Sequence, residues 1–120
     1  MARKNPLESS IEDHLEKKCR EHGIFVMKNT GRNGIPDRLL IYDGEHWFLE
    51  LKRPGERPTE LQESVARMLR SHGSTTLCAD TKRRVDIVVN AMLTHGEPPY
   101  DLAYGMLARR WEPDGMKDEI

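Results

Sequence analysis

Leu7, Ile11, Leu15 and Cys19 recur every four residues, which predicts one apolar stripe on an amphipathic helix. Asn5 suits the cap, Pro6 the first helical position, and Glu8 completes a capping box. Gly23 supplies the stop, so the first helix covers about 6–22. Ile24–Met27 reads as a short strand, and Asn29–Gly34 is a loop by composition. Two β-rich runs, Asp37–Tyr42 and Glu45–Lys52, flank Asp43-Gly44, a strong short-range hairpin signal. Pro54, Gly55 and Pro58 break the chain; Thr59-Glu60-Leu61-Gln62 then opens a second helix with its own capping box, closed by Gly73. Thr75–Ala79 reads as a strand, Asp80–Arg84 as a basic loop and Val85–Leu93 as a third helix. From His95 onward, Pro and Gly punctuate a weakly periodic tail. The order is α-β-β-β-α-β-α.

The 120 residues suit one domain. Charged residues make up 32% of the chain, above the usual ~25%, which suits a thin core under a polar surface. No apolar run approaches the ~18 residues of a membrane span, and no apolar segment follows the N-terminal basic residues as a secretory signal requires. Cys19 and Cys78 form no CxxC, which argues against a disulfide scaffold or a structural zinc; both read as buried small hydrophobes. These features predict a soluble, cytoplasmic domain without a membrane partner. The net charge of −1 argues against a strongly basic nucleic-acid binder. Its distribution changes that picture. Residues 1–94 carry 16 basic and 14 acidic side chains, whereas residues 95–120 carry 3 and 6. If some carboxylates of the body surround a metal, the rest of its surface is basic enough to meet nucleic acid.

The hairpin holds the candidate chemistry. A two-residue turn at Asp43-Gly44 sets Tyr42 opposite Glu45, Leu40 opposite Trp47, and Asp37 opposite Glu50. Alternation then puts Asp37 and Glu50 on one sheet face. Like charges directly opposed destabilise a strand pair, so the pattern calls for a compensating cation. Lys52 projects to the same face as Glu50, and a divalent metal between the carboxylates would compensate further. A three-residue loop would shift the register but leave Glu50 and Lys52 on one face. Trp47, Leu49 and Leu51 on one side and Phe48 on the other predict a strand buried on both faces, where charges need a reason to be present.

Gly34-Ile35-Pro36-Asp37 followed by Glu50-Leu51-Lys52 resembles the PD-(D/E)xK nuclease signature. The longer wording, Gly-Ile-Pro-Asp-Arg-Leu-Leu-Ile, then Trp-Phe-Leu-Glu-Leu-Lys-Arg-Pro-Gly, is similar to the VRR-Nuc family within it, over about residues 7–94. The resemblance implies a restriction-endonuclease-like α/β fold, a central mixed β-sheet flanked by helices. It further implies a Mg²⁺- or Mn²⁺-dependent DNA endonuclease of a bacterial cell or a phage-infected host, cutting branched DNA such as Holliday junctions as a homodimer. Carried over, Asp37 and Glu50 become metal ligands, the Leu51 carbonyl a third, and Lys52 the catalytic lysine. A first-helix carboxylate becomes an outer ligand holding a metal water. Glu12 is preferred for this role because it borders the buried stripe; Glu8, with its capping task, is second.

Lys28, Arg32, Arg38 and Arg53 lie in or beside loops and are candidate phosphate contacts, as are Lys82, Arg83 and Arg84. Gln62 fits both a helix cap and a DNA-contacting site residue. The histidines have no metal-ligand spacing, and Ser9, Ser10 and Ser64 have no triad partners. A restriction- or repair-type nuclease on duplex or flap DNA is the alternative activity, and a non-catalytic DNA-binding module the alternative class. A dimer interface is expected on the helices after residue 59 and the tail, where Val65, Met68, Leu69, Met92, Leu93, Leu102, Tyr104, Met106, Leu107 and Trp111 exceed the evident needs of a thin core.

Overall fold

In the computed structural model, which describes residues 6–99, Ile11, Leu15 and Cys19 of the apolar stripe lie on the buried face of the first helix. This helix, α1, spans Pro6–His22, and Ile11, Leu15 and Cys19 are fully buried. The expected Asn5 cap lies outside the described residues. Strands β1 (Phe25–Lys28), β2 (Arg38–Tyr42) and β3 (Glu45–Leu51) follow, then α2 (Glu60–Ser71), β4 (Thr75–Ala79) and α3 (Lys82–Leu93). The sheet order is β1-β2-β3-β4. The first two pairings are antiparallel and β3–β4 is parallel, so the sheet is mixed.

The hairpin register follows from its turn. Asp43 and Gly44 both have positive φ, 49° and 87°, as a turn matching the right-handed twist of the strands requires. The pairs run from Tyr42↔Glu45 to Arg38↔Leu49, which brings Asp37 to Glu50 just beyond the last pair.

Leu40, Trp47, Leu49, Leu51, Leu77 and Ala79 share one core with Ile11, Leu15 and Cys19 of α1 and Val85, Val88, Val89 and Met92 of α3. Alternation sends Glu50 and Cys78 to the opposite face, where Cys78 packs with Ala66 of α2. On that face β1 leaves Phe25 and Met27 60% and 46% exposed.

Two expectations need correction. The Asp80–Arg84 segment is not a loop throughout. Thr81 caps α3 by accepting from the Arg84 N–H at 3.1 Å, so Lys82, Arg83 and Arg84 form the first helical turn. A basic cluster resembles a loop in composition, but the cap overrides it. Val65 and Met92, expected at an interface, are core residues at 6% and 0% exposure. Met68 stays exposed, and the apolar tail residues from Leu102 onward lie outside the described residues.

Candidate active site

The site forms where β2 begins and β3 ends. Glu50 is 3% exposed. Its Oε1 accepts from the Asp37 backbone N–H at 3.1 Å, and its Oε2 accepts from Gln62 Nε2 at 3.0 Å. Asp37 returns the contact: its Oδ2 accepts from the Leu51 N–H at 3.4 Å. The two carboxylates therefore brace each other's backbone, and their charges are forced together. Lys52, 7% exposed, brings Nζ to 3.8 Å from Glu50 Oε2.

The electrostatics are unbalanced. Burial first, then the Asp37 carboxylate, push the Glu50 carboxyl up from 4.5 to about 8, although Lys52 pulls the other way. Asp37 is also raised, mainly by burial. At 3.8 Å the ammonium does not offset desolvation. Perturbation by burial plus a named charge partner is a mark of functional sites.

α2 supplies the upper wall. Thr59 Oγ1 accepts from the Gln62 N–H at 3.1 Å, and the Thr59 N–H donates to Gln62 Oε1 at 2.9 Å. With its oxygen engaged in the capping box, the Gln62 amide turns its NH₂ to Glu50. Gln62 is thus both the cap and a residue of the site, where it contacts Glu50. Gly34 holds the preceding loop against this helix. Its φ is +87°, and a Cβ there would lie 2.7 Å from Val65 Cγ2 and 2.9 Å from Leu61 Cγ.

The helix glutamates divide. Glu12 is 8% exposed and lies 3.6 Å from Arg38 Nη2; Glu16 lies 3.3 Å from Arg38 Nε. Glu8 is half-buried, and its carboxyl is raised by burial, then by Glu12, Glu56 and Asp37, against the pull of Lys52. Both glutamates therefore act on the acidic pair, Glu8 helping to raise Glu50 and Glu12 helping to raise Asp37, but Glu12 is also paired with the buried arginine.

Arg38 corrects the sequence-based placement. It is 3% exposed, ion-paired to α1, and its Nη1 donates to the Asp37 carbonyl at 3.5 Å. It is an internal strut that fixes Asp37, not a surface phosphate contact. The cause is the alternation of β2, which turns residue 38 toward α1 and the core. Arg84 is likewise taken, 2.9 Å from Asp80 Oδ1. Lys28, Arg32 and Arg53 are exposed around the site. Asp80, fully buried at the end of β4, was not singled out from sequence. Its one signal was an acid ending a run that reads as a buried strand.

Two carboxylates and the neighbouring Leu51 carbonyl are hard oxygen donors, and a divalent cation would offset both the burial and the Asp37 repulsion that raise Glu50. Among the described residues, no group of three His, Cys, Asp or Glu side chains gathers into a metal cluster. The donors fit magnesium, which binds through one or two carboxylates and keeps several waters.

No family model matches the chain. A solved structure described as a VRR_NUC domain superposes with a TM-score of 0.66, covering 72% of this chain and 97% of that one at 24% identity. The chain has the VRR-Nuc fold. A protein of Acyrthosiphon pisum secondary endosymbiont phage 1, described as "Putative nuclease p44", is 45% identical over 58 residues, 46% of this chain. The match covers 62% of that relative's length. The first likeness shows the fold, and the second is to a protein described as a putative nuclease. Among the described residues, no helix is long and apolar enough to cross a membrane.

Proposed function

We propose that this chain is a member of the VRR-Nuc family and a metal-dependent DNA endonuclease that hydrolyses phosphodiester bonds. The observation that carries the reading is the convergence of Asp37, Glu50 and Lys52, with both carboxyls raised mainly by burial. The likeness to a phage protein with a nuclease description supports it.

Asp37 and Glu50 would hold Mg²⁺ or Mn²⁺ with the Leu51 carbonyl. When bound, the cation acidifies a water and polarises the phosphate. Lys52, adjacent to Glu50 but not a ligand, pairs with a phosphate oxygen and orients the water. Glu8 takes the helix role first given to Glu12, because Glu12 is committed to Arg38. Glu8 accepts a hydrogen bond from water on the open side of the site. Gln62 holds Glu50 in one orientation through the α2 cap. Lys28, Arg32 and Arg53 meet the DNA backbone on either side of the acidic pair.

Branched DNA is the proposed substrate and a two-fold homodimer the proposed form. A four-way junction needs paired cuts related by two-fold symmetry, and a cyclic dimer supplies two copies of one site. The exposed apolar residues of α2, Leu61 and Met68 at 52% and 49%, support a protein contact there. Cleavage of a four-way junction, a flap, a linear duplex and a single strand, each with Mg²⁺, Mn²⁺ or EDTA, tests activity and preference together. Preferred, symmetric junction cuts are expected from a protein whose light scattering gives twice the chain mass. Equal cutting of all duplexes would favour the repair or restriction alternative, and binding without cutting the non-catalytic one.

A further inference from the structure

Lys52 stands between two buried acids. β3 and β4 run parallel with Glu50 opposite Cys78 and Leu51 opposite Ala79. One step on, the Lys52 N–H donates to the Ala79 carbonyl at 3.0 Å. Lys52 and Asp80 therefore follow on neighbouring chains, at the strand spacing of about 4.8 Å. Alternation gives Lys52 the face of Glu50 and Asp80 the face of Cys78, which is the same face. The fully buried Cys78 thiol is raised first by burial and then by Glu50 and Asp80, and lowered by Lys52 and Arg84, so all four charges lie near it.

Asp80 is the more deeply buried of the two acids, at 0% against 3% for Glu50. Attraction for an ammonium strengthens as water is excluded. Yet the lysine's ion pair is with Glu50. Both oxygens of Asp80 are taken elsewhere. Oδ1 accepts from Arg84 Nη1 at 2.9 Å, and Oδ2 accepts from the Gly55 N–H at 2.8 Å. Arg84 is held in reach by the Thr81 cap of α3, four residues after Asp80.

We infer that Arg84 is a positioning residue: it occupies Asp80 so that Lys52 stays turned toward Glu50 and the scissile phosphate. This rests on the nuclease reading of the same site. Removing the guanidinium leaves Asp80 a buried acid with one oxygen unpaired, and Lys52 is the cation that the strand register sets beside it. Removing the Asp80 charge as well takes away the competitor and frees the lysine again.

The test pairs crystal structures with kinetics on Arg84→Met and on Arg84→Met/Asp80→Asn. In the single variant, Lys52 Nζ should move to within about 4 Å of Asp80. The kcat should fall on the order of 100-fold, the cost of a displaced catalytic group, with a smaller change in KM. In the double variant the asparagine oxygen still accepts from Gly55, and most of kcat should return as Lys52 swings back to Glu50. A merely structural role predicts a double variant at least as impaired as the single one. A direct phosphate contact by Arg84 predicts a raised KM that Asp80→Asn does not restore. Either outcome overturns the inference, as does a lysine that stays on Glu50 in Arg84→Met. If that variant does not fold, Arg84→Gln, which keeps a neutral hydrogen bond but leaves the Asp80 charge uncompensated, should move Lys52 in the same direction with a smaller loss of kcat, and an unmoved lysine there overturns the inference. A wild-type protein that cuts no DNA would defeat the nuclease reading, while the position of Lys52 would still decide this one.

Discussion

Glu50→Gln removes a charge that the fold holds against its environment. The carboxyl is raised on folding from 4.5 to about 8, by burial and then by Asp37. A carboxyl raised on folding favours the native state while protonated. Its contribution is full below pH 4.5, declines as pH rises toward about 8, and is flat above. The slope is about 1.4 kcal/mol per pH unit, so the cost to the cation-free protein at pH 8 reaches roughly 5 kcal/mol at most. Asp37 adds a contribution of the same sign. Glutamine escapes this cost but sets an NH₂ group where the acid, protonated or not, has a second oxygen that can accept. It can accept from the Asp37 N–H or from Gln62 Nε2, not both, a loss of about 1–3 kcal/mol. The variant should therefore be more stable than wild type by about 2 kcal/mol at pH 8 and less stable by a similar amount near pH 4.5. Urea unfolding of both proteins in EDTA at the two pH values reads this crossover. Equal destabilisation at both would refute the desolvated charge at Glu50, and with it the electrostatic argument for a cation.

Lys52→Ala should lower DNA turnover by orders of magnitude yet leave Mn²⁺ binding by calorimetry near wild type; equal loss of both would make Lys52 part of the cation site. Glu8→Gln should reduce turnover with little change in melting temperature, whereas Glu12→Gln should lower stability by about 1–3 kcal/mol by weakening the pairing of buried Arg38; the reverse pattern would return the helix role to Glu12. Mn²⁺ affinity should rise about tenfold per pH unit below about 8 and level off above, because the cation displaces the Glu50 proton; a flat profile would show that no proton leaves.

Local signals carried most of this fold. The Asp43-Gly44 turn sets the hairpin register, and that register alone brings Asp37 to Glu50. The Thr59 and Gln62 capping box was legible for the same reason, since its four residues are adjacent in sequence. What required the fold was long-range. Nothing in β4 announces that it runs parallel beside β3, so the placement of Asp80 at the end of the strand next to Lys52 is not legible in the sequence. Arg38 looked like a surface cation because its partners, Glu12 and Glu16, are more than twenty residues away. The choice between Glu8 and Glu12 turned on that same arginine. The start of α3 was obscured because Lys82-Arg83-Arg84 suits a loop as well as a capped first turn.

Cleavage of an end-labelled four-way junction by wild type and by Asp37→Asn, with Mg²⁺ and with EDTA, tests the proposed chemistry most directly. Wild type should cut in Mg²⁺ and stop in EDTA, and Asp37→Asn should bind the junction without cutting it. Cutting that persists in EDTA, or that survives undiminished in Asp37→Asn, would contradict a cation held by Asp37 and Glu50.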